Sequence, residues 1–320
     1  MNSLEIFERF PIDYITFHNH DIKGFCWSWL RELNLCVPFI KYKTNLDLEN
    51  IDNGKRIMIL ENWDGMLKRG FTPEFCEKKN LRFVIILSEH LTINYVNNDE
   101  KENRFPKLPL NNLAKQLFPS DKNKKRVVSF NNFSKTSSNI SEEFHHRTKL
   151  LKRYDKFVDF YCTIGGLPKL EPWREFFNRP ESEFVKLSIN TDGIGKTKNL
   201  KLRPKILFTG QLTSYRTNII SELIKNGLNI DVFPIQSFDF DCDSLFFVKS
   251  LDDESKNDLY SKYDYVLDIP KDKDWPYSST IRILDALRQN TTVLVGDTYV
   301  DKDIKNYTVT IKEILSSIQK

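Results

Sequence analysis

Paired cysteines are missing from this sequence. Its five cysteines, Cys26, Cys36, Cys76, Cys162 and Cys242, are scattered, odd in number and without Cys-x-x-Cys or Cys/His ligand spacing. That argues against a structural zinc site and points to a reducing compartment. Long apolar runs are missing too: the longest, such as Phe83 to Leu87, fall far short of the ~20 residues that span a bilayer. Glu5 and Glu8 stand where a signal peptide needs a basic start and an apolar run, so a soluble, cytoplasmic protein is expected. No charge of one sign dominates. Lys and Arg number 48 against 44 Asp and Glu, a formal net charge of +4. So mild a balance permits nucleic acid or an anionic membrane surface as a partner and demands neither. No repeat at a solenoid period is visible.

What is present points to an α/β protein. At 320 residues the chain is long for one core, which favours two domains. In the first half, short apolar strands are expected at Ile12 to Phe17, Val37 to Tyr42, Arg56 to Leu60, Leu81 to Leu87 and Phe157 to Ile164. Helical stretches lie between them, the pattern of a parallel sheet with helices on both faces. Residues from about Asn97 to Ser141 read as polar and irregular. Gly195 to Lys205 is basic, carries Pro204 and reads as linker. The expected division is 1–185, a linker at 186–203, and 204–320.

The second half alternates more cleanly. Strands are expected at Ile206 to Thr209, Ile230 to Phe233, Leu245 to Val248, Tyr265 to Ile269 and Thr292 to Val295. Gly210 to Arg216 reads as a polar loop. Thr217 to Asn226 reads as a helix closed by Gly227, and further helices are expected at Asp253 to Lys262 and Ile311 to Ile318. The repeated strand, loop, helix and strand order is Rossmann-like. The loop Gly210-Gln211-Leu212-Thr213-Ser214-Tyr215-Arg216 is not Gly-x-Gly-x-x-Gly, which argues against a dinucleotide dehydrogenase.

The stretch from Pro276 to Val295 organises this half. Ser278, Ser279 and Thr280 fall at a helix start, where hydroxyls, unpaired N–H groups and the helix dipole suit an anion. Ile281, Leu284 and Leu287 recur at helical spacing and should face a core. Arg282 and Asp285, three apart, share the other face. A cation so near a helix N-terminus is unfavourable unless an anion lies close by. The competing reading is an Arg–Asp surface pair behind an ordinary serine cap.

These two segments, about residues 203–300, resemble the donor domain of the GT-B fold glycosyltransferases. In that superfamily a strand ends in glycine, a nearby basic residue reaches the donor phosphates, a helix N-terminus meets the diphosphate and a helix acid binds ribose. Within it, the segment resembles the bacteriophage DNA β-glucosyltransferases. The resemblance implies two Rossmann-like domains facing a cleft. It implies a nucleotide-sugar donor, UDP- or GDP-linked, with no separate cofactor and no metal. Gly210, Arg216, Arg282 and Ser278, Ser279 and Thr280 would receive the diphosphate, Asp285 the ribose, and Lys249 would lie near the base. Tyr277 stands where many retaining members carry an acid, a departure that sets this chain apart from them. A second resemblance, to α-fucosyltransferases, rests on Arg147, Tyr154 and Val158-Asp159 before a glycine.

Glycosyl transfer needs the leaving diphosphate stabilised and the acceptor hydroxyl deprotonated. The base is expected in the first domain: Asp21 or His20 in the loop after the first strand, then Glu89 beside His90, then Glu61. Each competes with a plain capping or solvated role. Asp239 to Asp243 has the spacing of a metal motif but reads as a solvated acidic turn, and His145-His146 as a helix surface. Trp27, Trp29 and Trp63 would stack on a sugar or fill a core. The basic run Lys122 to Arg126 reads as a solvated loop, or would meet a phosphorylated acceptor. The expected activity is transfer of a sugar to a saccharide or lipid-linked acceptor in cell-surface polysaccharide or lipopolysaccharide synthesis, with peripheral contact at the inner membrane. The alternatives are a DNA-base glucosyltransferase, a non-catalytic nucleotide-sugar binding protein and, ranked lower, a nucleotide-sugar epimerase. Nucleic acid ranks below saccharide as a partner.

Overall fold

The computed structural model describes residues 3–16, 25–36, 50–60, 71–88, 151–166, 170–195, 203–210, 212–234, 253–270, 275 and 277–318. The chain is α/β, with two parallel five-stranded sheets consistent with Rossmann-like domains. The sheets lie in two compact units, and the described residues up to Asn190 belong to the first.

In the first unit the order of elements is α1 (Ser3–Arg9), β1 (Tyr14–Thr16), α2 (Phe25–Cys36), β2 (Arg56–Leu60), α3 (Pro73–Lys78), β3 (Arg82–Ile86), β4 (Val158–Ile164), α4 (Leu170–Phe177) and β5 (Phe184–Leu187). The strands stand in chain order, β1-β2-β3-β4-β5. Their continuous apolar runs are buried: Ile57, Met58, Phe83, Val84, Ile85 and Tyr161 are shielded from solvent. Such a run suits a strand covered on both faces. Thr72 caps α3 by accepting the Phe75 N–H at 3.2 Å, and Pro73 opens the helix where no N–H is missed.

Arg56 Nε and Arg82 Nη2 both reach Asp159, at 2.5 and 2.6 Å. The two arginines open β2 and β3, and Asp159 is the second residue of β4. This cluster therefore ties the amino ends of three strands, away from the carboxyl edge where parallel sheets bind ligands. Tyr154 donates its hydroxyl to the Phe71 carbonyl at 2.8 Å inside the core. The α-fucosyltransferase resemblance thus falls on internal structural ties, and Arg147 lies outside the described residues. Trp29 is 2% exposed and serves the core.

The second unit contains β6 (Lys205–Gly210), α5 (Ser214–Lys225), β7 (Asn229–Pro234), α6 (Asp253–Ser261), β8 (Tyr265–Asp268), α7 (Thr280–Arg288), β9 (Thr292–Val295), α8 (Lys302–Lys305), β10 (Thr308–Thr310) and α9 (Ile311–Ile318). Its strand order is β10-β9-β8-β6-β7. The chain lays β7 on one side of β6 and then crosses to lay β8 on the other. The order therefore reverses between β6 and β8, the switch point where open α/β sheets bind ligands beyond their carboxyl ends. β6 pairs with β7 along its whole length, to Gly210 against Pro234. With β8 it pairs only through Ile206–Tyr265 and Leu207–Val266.

Two expectations change here. The helix after β6 starts at Ser214, not at Thr217, because the Thr213 hydroxyl accepts the Arg216 N–H at 3.2 Å and caps it. Arg216 therefore stands on the first helical turn rather than in a loop. The helix does end as expected, with Gly227 at φ 89°, a left-handed conformation that glycine adopts without strain. α7, read as amphipathic, is buried almost all round: Ile281, Ile283, Leu284, Asp285, Ala286 and Leu287 are all shielded. Each large apolar side chain so buried contributes about 1.5–3 kcal/mol.

Candidate functional site

Three of the residues singled out in the second unit, Gly210, Arg216 and Arg282, meet at the switch point. Gly210 ends β6 at φ 130°, a conformation that side-chain-bearing residues avoid. A Cβ added there would stand 3.0 Å from Arg282 Nη2 and 4.0 Å from Arg216 Nη1. Two arginines from different helices thus converge on one glycine. They also share a floor: the Cζ atoms of Arg216 and Arg282 lie 5.7 and 5.9 Å from the ring centroid of Phe208, two residues before Gly210. Phe208 is fully buried, and its ring face attracts both cations.

Each guanidinium is held by its own partners. Arg216 is 6% exposed, and its Nε donates to the carbonyls of Ile269 at 3.0 Å and Pro270 at 3.2 Å. It therefore stitches the helix after β6 to the chain leaving β8, where the β6–β8 ladder has stopped. Arg282 donates from Nη1 to Asp268 Oδ1 at 2.8 Å. Asp268 ends β8, is fully buried, and its Oδ2 accepts the Ser279 N–H at 3.0 Å.

The anion demanded by a cation at a helix start is thus internal. Ser279 is the N-cap residue of α7, but its hydroxyl makes no capping bond. Asp268 instead accepts the N–H of the cap residue itself, and its charge suits the positive end of the helix. Ser278 packs sideways: its hydroxyl bonds the Thr298 hydroxyl at 2.5 Å and its N–H donates to the Tyr299 carbonyl at 3.0 Å. Thr280 opens the helix, half-buried.

Arg282 and Asp285 are not each other's partners. Asp285 Oδ2 meets Lys256 Nζ of α6 at 3.0 Å, and both side chains are under a tenth exposed. A surface pair was one reading of this spacing; the fold instead buries the acid and supplies a cation from a neighbouring helix. Lys249, Asp21, His20 and Glu89 lie outside the described residues, as do Glu61, His90, Trp63, His145, His146, the acidic stretch 239–243 and the basic run 122–126. Among the described residues, no group of three His, Cys, Asp or Glu side chains is arranged to hold a metal ion, and no helix is long and apolar enough to cross a membrane.

Asp268 is the residue that sequence reasoning passed over. Its signal was an acid closing an otherwise apolar strand, Tyr265-Val266-Leu267-Asp268. Phe208 and Lys256 were also missed, because neither carries a local pattern.

No family model matches the sequence, and no curated protein matches it. Among solved structures, the chain is similar to the GtfA/B complex bound to UDP and GlcNAc, with 11% identity over 82% of this chain and 52% of that one and a TM-score of 0.26. It is also similar to a D-isomer specific 2-hydroxyacid dehydrogenase from Xanthobacter autotrophicus Py2 in complex with NADPH and MES, with 10% identity over 89% of this chain and 72% of that one and a TM-score of 0.22. The apo form of Rhodotorula graminis D-mandelate dehydrogenase matches with 9% identity over 97% of this chain and 92% of that one and a TM-score of 0.25. The chain spans about half the length of the GtfA/B chain it matches. At these scores none of the three assigns a role to a residue of this chain.

Proposed function

We propose that the second unit binds the diphosphate of a nucleotide-sugar and that the protein is a glycosyltransferase of the GT-B kind. The observation that carries this reading is the convergence of Arg216 and Arg282 on Gly210, beyond the carboxyl ends of β6 and β8. Guanidinium forks suit phosphate oxygens, and the absence of a glycine side chain lets the Arg282 guanidinium close against the turn. As the bond from anomeric carbon to diphosphate breaks, negative charge grows on the leaving oxygen. Two preorganised cations would stabilise that charge without waiting for solvent to reorganise.

The remaining assignments belong to the same proposal. Ser278, Ser279 and Thr280 border the diphosphate at the start of α7, and Lys249 lies toward the base. Asp285 is assigned to the ribose, which requires ribose hydroxyls to compete with Lys256 for its carboxylate. Asp21, His20 or Glu89 takes the proton from the acceptor hydroxyl. The acceptor is a saccharide, free or lipid-linked, in the synthesis of a cell-surface polysaccharide, and the protein acts in the cytoplasm with peripheral contact to the inner membrane.

The test is release of nucleoside diphosphate from UDP- and GDP-sugars, with water or a panel of saccharides as acceptor. Turnover by the wild type, loss in Arg216→Ala, and loss in one of Asp21→Ala, His20→Ala or Glu89→Ala are expected. Binding without turnover on any acceptor would leave a nucleotide-sugar binding protein instead.

A further inference from the structure

A cation at a helix start is satisfied here from inside the fold, and that arrangement divides one guanidinium between two tasks. Nη1 of Arg282 is spent on Asp268 at 2.8 Å. Nη2 is the atom that lies 3.0 Å from where a Gly210 Cβ would stand. The other oxygen of Asp268 holds the Ser279 N–H at 3.0 Å, and the carboxylate is fully buried. One aspartate thus links the end of β8, the start of α7 and, through Arg282, the turn that ends β6.

We propose that Asp268 is a positioning residue: it fixes the Arg282 guanidinium so that Nη2 faces the Gly210 turn before a ligand arrives. This rests on the nucleotide-diphosphate reading of that turn. Three physical effects support it. An arginine side chain has many rotamers, and one already held in its bound geometry loses less freedom on binding. A carboxylate on one of two neighbouring guanidiniums offsets part of the repulsion between them, so Arg282 can stay aimed at the point that Arg216 also faces. The same carboxylate ties the guanidinium to the main chain of α7, which makes the cation part of a rigid element rather than a tip on a flexible stem.

The probe is inorganic pyrophosphate, the group that all nucleoside diphosphate donors share, titrated calorimetrically into wild type, Asp268→Asn, Arg282→Ala and the double variant. If Asp268 acts through Arg282, Asp268→Asn binds about tenfold more weakly, and the double variant binds no more weakly than Arg282→Ala alone. A residue that only supports the fold would give losses that add. Wild-type binding with Asp268→Asn unchanged, or additive losses, overturns the assignment to Asp268 while leaving the diphosphate site standing. No pyrophosphate binding by the wild type overturns both. Should Asp268→Asn fail to fold, arginine-edited NMR of the unliganded wild type decides. The Arg282 signals, identified by their loss in Arg282→Ala, should show slow rotation about Cζ–Nε, and fast averaging would refute the proposal.

Discussion

Asp285 and Lys256 meet in an ion pair, Oδ2 to Nζ at 3.0 Å, between two helices that shield both side chains. A buried charge stripped of its partner is far more costly than a surface one, so Lys256→Met should destabilise the protein by about 3–5 kcal/mol. Changing both residues to apolar ones of similar size should restore most of that loss. Urea unfolding of the three variants checks this, and a loss below about 1 kcal/mol for Lys256→Met would mean that the pair is solvated. The ribose assignment is tested separately. Asp285→Asn should abolish any preference for UDP over its 2′,3′-dideoxy analogue.

Gly210→Ala should disable the turn. The new Cβ would press on Arg282 Nη2 at 3.0 Å, and the backbone is at φ 130°, which alanine adopts only under strain. The guanidinium end can swing aside, so the backbone dominates and the stability cost is about 1–3 kcal/mol. Binding suffers as well, because the displaced arginine no longer faces the turn. Thermal unfolding and nucleotide titration should both report a loss; a variant as stable as the wild type that binds equally well would show that the turn is tolerant.

Thiol chemistry should follow burial. Cys76 is fully buried and its thiol is pushed up to about 12 by desolvation, while burial also raises Cys162. Cys36 is part-exposed and donates its thiol to the Ser188 carbonyl at 2.9 Å. Because the thiolate is the nucleophile, iodoacetamide at neutral pH should alkylate Cys36 before Cys76 and Cys162, which should react only after unfolding. Mass spectrometry of timed digests reads the order directly. Early modification of Cys76 would place it at the surface.

The last helix carries a titrating cap. The Thr310 hydroxyl accepts the Glu313 N–H at 3.2 Å, and the Glu313 carboxylate accepts the Thr310 N–H at 2.6 Å. This reciprocal pair is a capping box, and its main-chain hydrogen bond, with the Thr310 hydroxyl second, holds the Glu313 carboxyl below its ordinary value. A carboxyl lowered on folding contributes stability above its unfolded pKa and loses it as pH falls through the folded value. Glu313→Gln should therefore flatten the acid limb of the stability profile below about pH 4.5 and leave the profile above neutrality parallel to the wild type. Thr310→Ala removes the other half of the box and should cost about 1 kcal/mol. Unfolding curves from pH 3 to 8 check both.

Much of the second unit was legible because its strands are short continuous apolar runs. Thr292 to Val295 was read with the bounds that β9 has, and Gly227 stopped its helix where a left-handed residue was needed. The convergence of Arg216, Arg282 and Gly210 follows from strand order as much as from motif, since the reversal between β6 and β8 brings their carboxyl ends together. Asp268 stayed hidden because its partner Arg282 is fourteen positions away and no helical or strand period links them. The spacing of Arg282 and Asp285 offers a ribose ligand or a surface pair, and neither reading shows Lys256, because spacing within one helix cannot report a lysine on another. β10 was missed as a three-residue strand whose burial comes from β9 rather than from its own pattern. The start of α5 was missed because Thr213, not a residue nearer Thr217, supplies the cap.

The central claim is that Arg216, Arg282 and Gly210 receive a nucleotide-sugar diphosphate. The most direct measurement is a thermal-shift panel of UDP-, GDP-, CMP- and dTDP-sugars, with NADPH alongside, on wild type and Arg282→Ala. A ligand at about 100 times its dissociation constant should stabilise the wild type by about 2.7 kcal/mol, a shift of a few degrees. One class of nucleotide-sugar should raise the midpoint of the wild type and not that of Arg282→Ala. A folded wild type that responds to none of them, or to NADPH alone, would contradict the account.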